Sequence, residues 1–275
     1  MKLSFITPTN FIKSHQGQGD FVLGLSHLMK LDKVTAYEKA ILSTKLPIVL
    51  DNGLFENHTP EPLDSLILKA QKIGATHFFA PDMLYDTKGT KESLNKTISA
   101  VRKAKKGLSK ESLKNFPKIA AVVQANNAKD YMAQLHEFNQ DPNVKMIGLS
   151  ILAVPKSFEK NIRKYDVTKS RMYLLRKMRL MASKGYKFKP CHLLGLGDSA
   201  EDVIYAKKYC PFVVSNDSSC CFQSALKNKY LTTNLEVPGG KVKEKVDFNL
   251  KTITKKQEKN LQHNIDKCKE VLSLS

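Results

Sequence analysis

No apolar run in the 275 residues approaches the roughly 20 that a membrane-spanning helix requires, so no transmembrane segment is expected. The opening MKLSFITPTNF lacks a long apolar stretch followed by a small-residue cleavage site, and no secretion signal is expected. The five cysteines (Cys191, Cys210, Cys220, Cys221 and Cys268) are an odd number with no CxxC pair. That excludes a disulfide framework and a structural zinc knuckle as first readings, and points to a reducing cytoplasm. Internal repeats, low-complexity tracts and linkers are also missing, so one domain over residues 1–275 is expected. Acidic residues are scarce, 26 Asp+Glu against 45 Lys+Arg, for a formal charge of +19. Solubility alone needs much less charge, so a polyanion is the leading partner.

What is present is an alternation. Hydrophobic residues make up 41% of the chain, enough for a substantial core. Short apolar runs lie at Leu3 to Thr7, Leu46 to Leu50, His77 to Ala80, Ile119 to Val123, Met146 to Leu149, His192 to Leu196 and Phe212 to Val214. Amphipathic, helix-like stretches separate them, among them Glu61 to Ile73, Glu92 to Ala104, Ala128 to Phe138, Arg171 to Ala182 and Ala200 to Lys208. Strands without polar alternation, spaced by helices, predict a parallel sheet covered on both faces. A spacing of roughly 30 residues per unit predicts a TIM-type (β/α)8 barrel, with an open doubly wound sheet as the alternative. The eighth strand is sought in Thr232 to Phe248, around the turn Val237-Pro-Gly-Gly240, before a last helix from about Lys255 to Leu274.

Several of these strands end in a polar residue: Asp51, Asp82, Gln124 and Asp217, with Gly148 and Gly195 in similar places. In a parallel barrel such positions converge on the C-terminal face. Each Asp taken alone reads as a helix cap. Three carboxylates and an amide aimed at one pocket read as a site, because crowded like charges are costly without a ligand.

At these strand ends the sequence resembles the tRNA-guanine transglycosylase superfamily, nearest to phage enzymes that insert 7-deazaguanines into DNA. Asp51-Asn-Gly-Leu-Phe55 is similar to the family's D-S-G-G-F, Ala80-Pro-Asp82 to its guanine-reading strand end, and Val123-Gln124 to its V-Q-G-G. Gly148-Leu149 stands where G-L-A-V offers backbone groups to the base. His192-Leu-Leu-Gly-Leu-Gly197, with Asp198-Ser-Ala-Glu-Asp202, resembles Y-L-M-G-V-G-x-P-E-D, and Asn216-Asp217-Ser218 resembles the nucleophile element. The likeness runs from about residue 46 to 225. It departs at Leu54 and at Ala125-Asn126, each in place of glycine, and nothing after Cys221 supplies the zinc cysteines of the tRNA enzymes.

The resemblance implies Asp217 as nucleophile and Asp51 as acid/base, with Asp82, Gln124, Gly148, Leu149, Leu194 and Gly195 around the base. It implies guanine exchanged for a free 7-deazaguanine, with no redox change and no cofactor. A base in duplex DNA must leave the stack to reach such a pocket. From Lys156 to Lys189 there are twelve Lys or Arg against Glu159 and Asp166. Of these, Lys156, Arg163, Lys164, Arg171, Arg176 and Arg179 are the candidates to track phosphates, the bland reading being a solvated basic helix. The alternatives are a tRNA-guanine transglycosylase, a non-catalytic nucleic-acid-binding barrel, and a dinucleotide enzyme suggested by the G-x-G-x-x-A pattern of Gly195 to Ala200. Cys220 and Cys221 read as small apolar helix residues, and the lone histidines His15, His58 and His192 are assigned no role.

Overall fold

The computed structural model describes residues 1–159, 166–196, 199–233, 235–237 and 245–272. Eight parallel strands form one sheet in the order β1-β8-β7-β6-β5-β4-β3-β2. They are β1 (Lys2–Phe5), β2 (Val22–Leu25), β3 (Ile48–Asp51), β4 (His77–Phe79), β5 (Lys118–Val122), β6 (Val144–Ser150), β7 (Cys191–Leu194) and β8 (Val213–Ser218). Around them lie α1 (Ala36–Ser43), α2 (Leu54–Asn57), α3 (Leu63–Lys72), α4 (Thr87–Ala104), α5 (Lys110–Asn115), α6 (Ala128–Gln140), α7 (Ala153–Phe158), α8 (Val167–Ser183), α9 (Glu201–Tyr209), α10 (Cys220–Leu226) and α11 (Lys255–Leu272). This is a nearly closed (β/α)8 barrel. Among the described residues, no helix is long and apolar enough to cross a membrane.

The sheet closes without a ladder between β1 and β2. Leu3 N donates to Asp20 Oδ2 (2.8 Å), Asp20 N to Leu3 O (2.8 Å), and Leu23 N to the Ser4 hydroxyl (2.9 Å). Side chains stand in for the strand partner there, which satisfies the backbone groups an open edge would leave unpaired.

Two cores follow from strand alternation. Phe21, Leu23, Val49, Phe79, Ala120, Val122 and Met146 fill the barrel interior. A larger layer between sheet and helices holds the residues facing outward, such as Leu50, Phe78, Ile147 and Leu193. Packing in the interior leaves little room: a Cβ added at Gly148 would meet Leu194, Phe79 and Val122 side-chain atoms at 3.0 Å. The plug of side chains is the floor on which the C-terminal face is built.

The eighth strand lies elsewhere than expected. The sheet takes β2, Val22–Leu25, as its missing member, and the described residues of Thr232 to Phe248 contribute no strand. Two 3₁₀ turns rather than an α-helix connect β1 to β2, so the strand–helix alternation that marks the other units is absent there. The expected turn at 237–240 has only Val237 within the described residues. Cys220 and Cys221 are buried in α10, as small apolar helix residues would be.

Candidate active site

At the C-terminal ends of the strands a cavity of about 530 Å³ opens, lined by Asp51, Asp82, Gln124, Leu194, Gly195 and Asp217 among others. Six of the eight residues expected around the base and sugar thus share one pocket. The other two do not. Gly148 and Leu149 lie within β6, where the Gly148 carbonyl accepts from Val123 N (3.2 Å) and Leu149 is fully buried in the outer core. β6 ends at Ser150, one residue past the expected apolar run, and Ser150, Ile151 and Leu152 reach the cavity instead.

The helix-cap reading separates cleanly from the site reading. α4 is capped by Asp86, whose carboxylate accepts from Gly89 N (2.9 Å). Asp82, four residues earlier, takes no helix amide. Its Oδ1 accepts from Asn52 Nδ2 and its Oδ2 from Gln124 Nε2, both at 2.5 Å. Those amides are themselves oriented, because Asn52 Oδ1 accepts from Leu54 N (3.0 Å) and Gln124 Oε1 from Tyr85 N (3.2 Å). Burial outweighs these donors and pushes Asp82 up to about 7. The Gln124 amide has two hydrogens, of which the bond to Asp82 uses one.

Asp51 ends β3 and accepts from Gly53 N (2.8 Å), where Gly53 adopts φ +78°. That left-handed turn suits glycine and folds the chain back so that the carboxylate faces the cavity. Burial, reinforced by the Asp217 charge, lifts Asp51 to about 6. Glu56, one turn further on in α2, is lifted to about 7 by burial and by Asp51. Its Oε2 is buried without a hydrogen-bond partner, and its place on the cavity wall was not read from the sequence. The spacing Asp51-x-x-x-x-Glu56 was the available signal.

Asp217 lies one residue before the end of β8, beside Ser4 of β1. Both of its hydrogen bonds fall on Oδ1, from His192 (Nε2, 2.8 Å) and from Gly195 N (3.2 Å). His192, assigned no role from sequence, is therefore part of the site. Its Nδ1 meets the Ser215 hydroxyl at 2.8 Å, and its ring packs against Phe21 and Phe79. With Nε2–H directed at the carboxylate, the Ser215 hydroxyl completes the second contact, since it can donate or accept. Gly195 has φ +73°, and a Cβ there would come within 2.9 Å of Ile151, so the turn that aims its amide requires glycine.

The basic candidates scatter. Arg163 and Lys164 lie outside the described residues, as do Gly197 and Asp198 of the G-x-G pattern. Lys156, on α7 just beyond the cavity-lining Leu152, is paired with Glu159 at 3.3 Å. Arg171 is not a phosphate contact: it is fully buried, paired with Asp202, and donates to the carbonyls of Leu194 and Gly195. Arg176 and Arg179 are exposed over the rings of Tyr205 and Tyr209. α8 runs back down the barrel from the strand ends, so they sit about 8 and 12 Å further from the mouth than Arg171 at 1.5 Å per residue. Lys245, unread from sequence, stands at the mouth and donates to the Glu56 carbonyl (3.1 Å).

Among the described residues, no group of three or more His, Cys, Asp or Glu is arranged to hold a metal ion. In comparisons with known proteins, no family model matches the chain and no curated protein matches it.

Proposed function

We propose that this barrel exchanges guanine in DNA for a 7-deazaguanine through a covalent Asp217–deoxyribose intermediate. The observation that carries the reading is the convergence in one cavity of an oriented carboxylate, Asp217, a second carboxyl raised to about 6, Asp51, and a third held by two amides, Asp82. The resemblance at the strand ends supplies the substrate.

Asp217 attacks the anomeric carbon as the bond to the base breaks, and the bonding pair leaves with guanine. With His192 and Gly195 both on Oδ1, Oδ2 is the oxygen left to attack. Asp51 protonates the departing base and then takes the proton of the incoming one, whose nitrogen displaces Asp217. Ionised Asp82 accepts from the N1–H and amino group of guanine, and Gln124 donates to its carbonyl. The bases swap with no change in oxidation state.

Proton delivery by Asp51 fixes a pH dependence. Departure of guanine needs Asp51 protonated, so at saturating DNA, with the target guanine already held by ionised Asp82, single-turnover formation of the covalent adduct falls as pH rises above about 6. Asp51→Asn lowers the rate and removes that limb. Adduct formation by wild type that stays level from pH 5 to 8 would show that Asp51 has another role.

Binding to DNA should be steeply salt-dependent, about one log unit of affinity per log unit of salt for each neutralised phosphate. Lys245→Ala at the mouth reduces that slope by about one. Arg176→Ala/Arg179→Ala, on the outer wall, changes it less. Fluorescence-anisotropy titrations at several salt concentrations test this, and the opposite ranking would move the DNA path to the α8 side of the barrel.

A further inference from the structure

We propose that Arg171 is a positioning residue for Asp217, acting through the backbone of Gly195; the proposal rests on the base-exchange reading. A charged side chain is seldom buried without a reason. The Arg171 guanidinium is sealed between α8, α9 and the end of β7. Its Nε is bonded to Asp202, and its Nη1 donates to Leu194 O (3.1 Å) and Gly195 O (2.9 Å). Asn216, the neighbour of the nucleophile, donates to the same Gly195 carbonyl (3.0 Å) and to Leu193 O (2.8 Å). The peptide units on either side of Gly195 are thereby fixed, and the Gly195 amide points at Asp217 Oδ1.

The chain of contacts runs from an ion pair outside the sheet, through a strand-end turn, to one oxygen of the reacting carboxylate. An oxygen held by an amide and an imidazole leaves the carboxylate a single rotameric choice, with Oδ2 toward the sugar. Arg171 touches no substrate in this arrangement. Its effect is on the rate of attack and not on the binding of the free base, which meets Asp82 and Gln124 on other strands.

Arg171→Lys keeps the charge beside Asp202 but has one nitrogen and cannot also bridge two carbonyls. Arg171→Met/Asp202→Leu removes both charges while filling their volume, a replacement that buried ion pairs often tolerate. Both variants are measured for thermal melting, for hydrogen exchange in the peptide carrying Gly195, and for kcat and base KM in DNA base exchange. The expected result is a folded double variant, faster exchange at Gly195, and kcat lower by about tenfold or more with KM unchanged in both. Wild-type turnover in either folded variant overturns the proposal, as does unchanged protection of Gly195. A lower rate that follows only the folded fraction also overturns it, because that is what a merely structural pair would give. If wild type itself exchanges no base, the functional reading fails and the positioning role with it; altered Gly195 protection would then show only a structural clamp.

Discussion

Asp217→Ala abolishes both base exchange and the trapping of a covalent DNA–protein species, with a loss on the order of 10⁴-fold or more in single-turnover rate. Asp51, Asp82 and Glu56 also line the cavity, but they reach it from β3, the end of β4 and α2, and none of them is held by His192 and the Gly195 amide as Asp217 is. The substitution removes the acceptor for His192 and for the Gly195 amide, leaving the buried imidazole donor unpaired at a cost of about 1–3 kcal/mol and the half-buried Gly195 amide facing the cavity. Asp217→Asn keeps the shape and one acceptor oxygen, and serves as the control for folding. Trapping by denaturing electrophoresis, alongside circular dichroism, checks the prediction. Adduct formation in either variant would remove Asp217 as nucleophile.

The second large effect is at Asp82. Asp82→Asn lowers the efficiency of guanine exchange by about 10² or more while DNA affinity is retained, because a buried polar site discriminates strongly when its pairing is broken. An amide offers one acceptor where guanine needs two, and its NH₂ faces either Asn52 or Gln124, both donors. Neither neighbour is free to turn over, because Leu54 N and Tyr85 N hold their oxygens. The raised value of Asp82 adds a pH signature. Guanine pairs with the ionised form, so affinity for free guanine rises with pH through about 7 in wild type. Asp82→Asn loses that rise. Isothermal titration at several pH values measures it, and a variant with unchanged base selectivity but weakened DNA binding would assign Asp82 to the nucleic acid.

The parts of this architecture that were legible in the sequence are those with a single strong signal. Apolar runs followed by a polar residue placed β3, β4, β5, β7 and β8 and brought Asp51, Asp82, Gln124, Gly195 and Asp217 to one face. β2 was illegible for a physical reason: two 3₁₀ turns and no α-helix precede it, and side chains of Ser4 and Asp20 complete its contact with β1. A lone histidine carries no signal in the sequence until the β7–β8 register sets His192 opposite Ser215, from where its ring reaches Asp217 two residues further along β8. Gly148 and Leu149 fall inside β6 and Ser150 to Leu152 reach the cavity in their place, because the apolar residues Ile151 and Leu152 continue past the strand end and leave it unmarked by hydropathy.

Arg171 was misplaced by counting charge along the chain without regard to helix phase. Arg171, Leu174, Leu175 and Met178 recur at the spacing of one helical face, and all four are buried. Arg176 and Arg179 fall outside that stripe and are exposed. Phase within α8 separates the structural arginine from the solvated ones, and total charge does not.

Exchange of labelled guanine into duplex DNA, run beside tRNA at the same salt and with the metal content of the protein determined, tests the central claim most directly. The proposed chemistry predicts label incorporated into DNA and displaced by a free 7-deazaguanine, little incorporation into tRNA, and no stoichiometric zinc. Label confined to tRNA would reassign the barrel to RNA, and label in neither, with DNA bound tightly all the same, would contradict base exchange altogether.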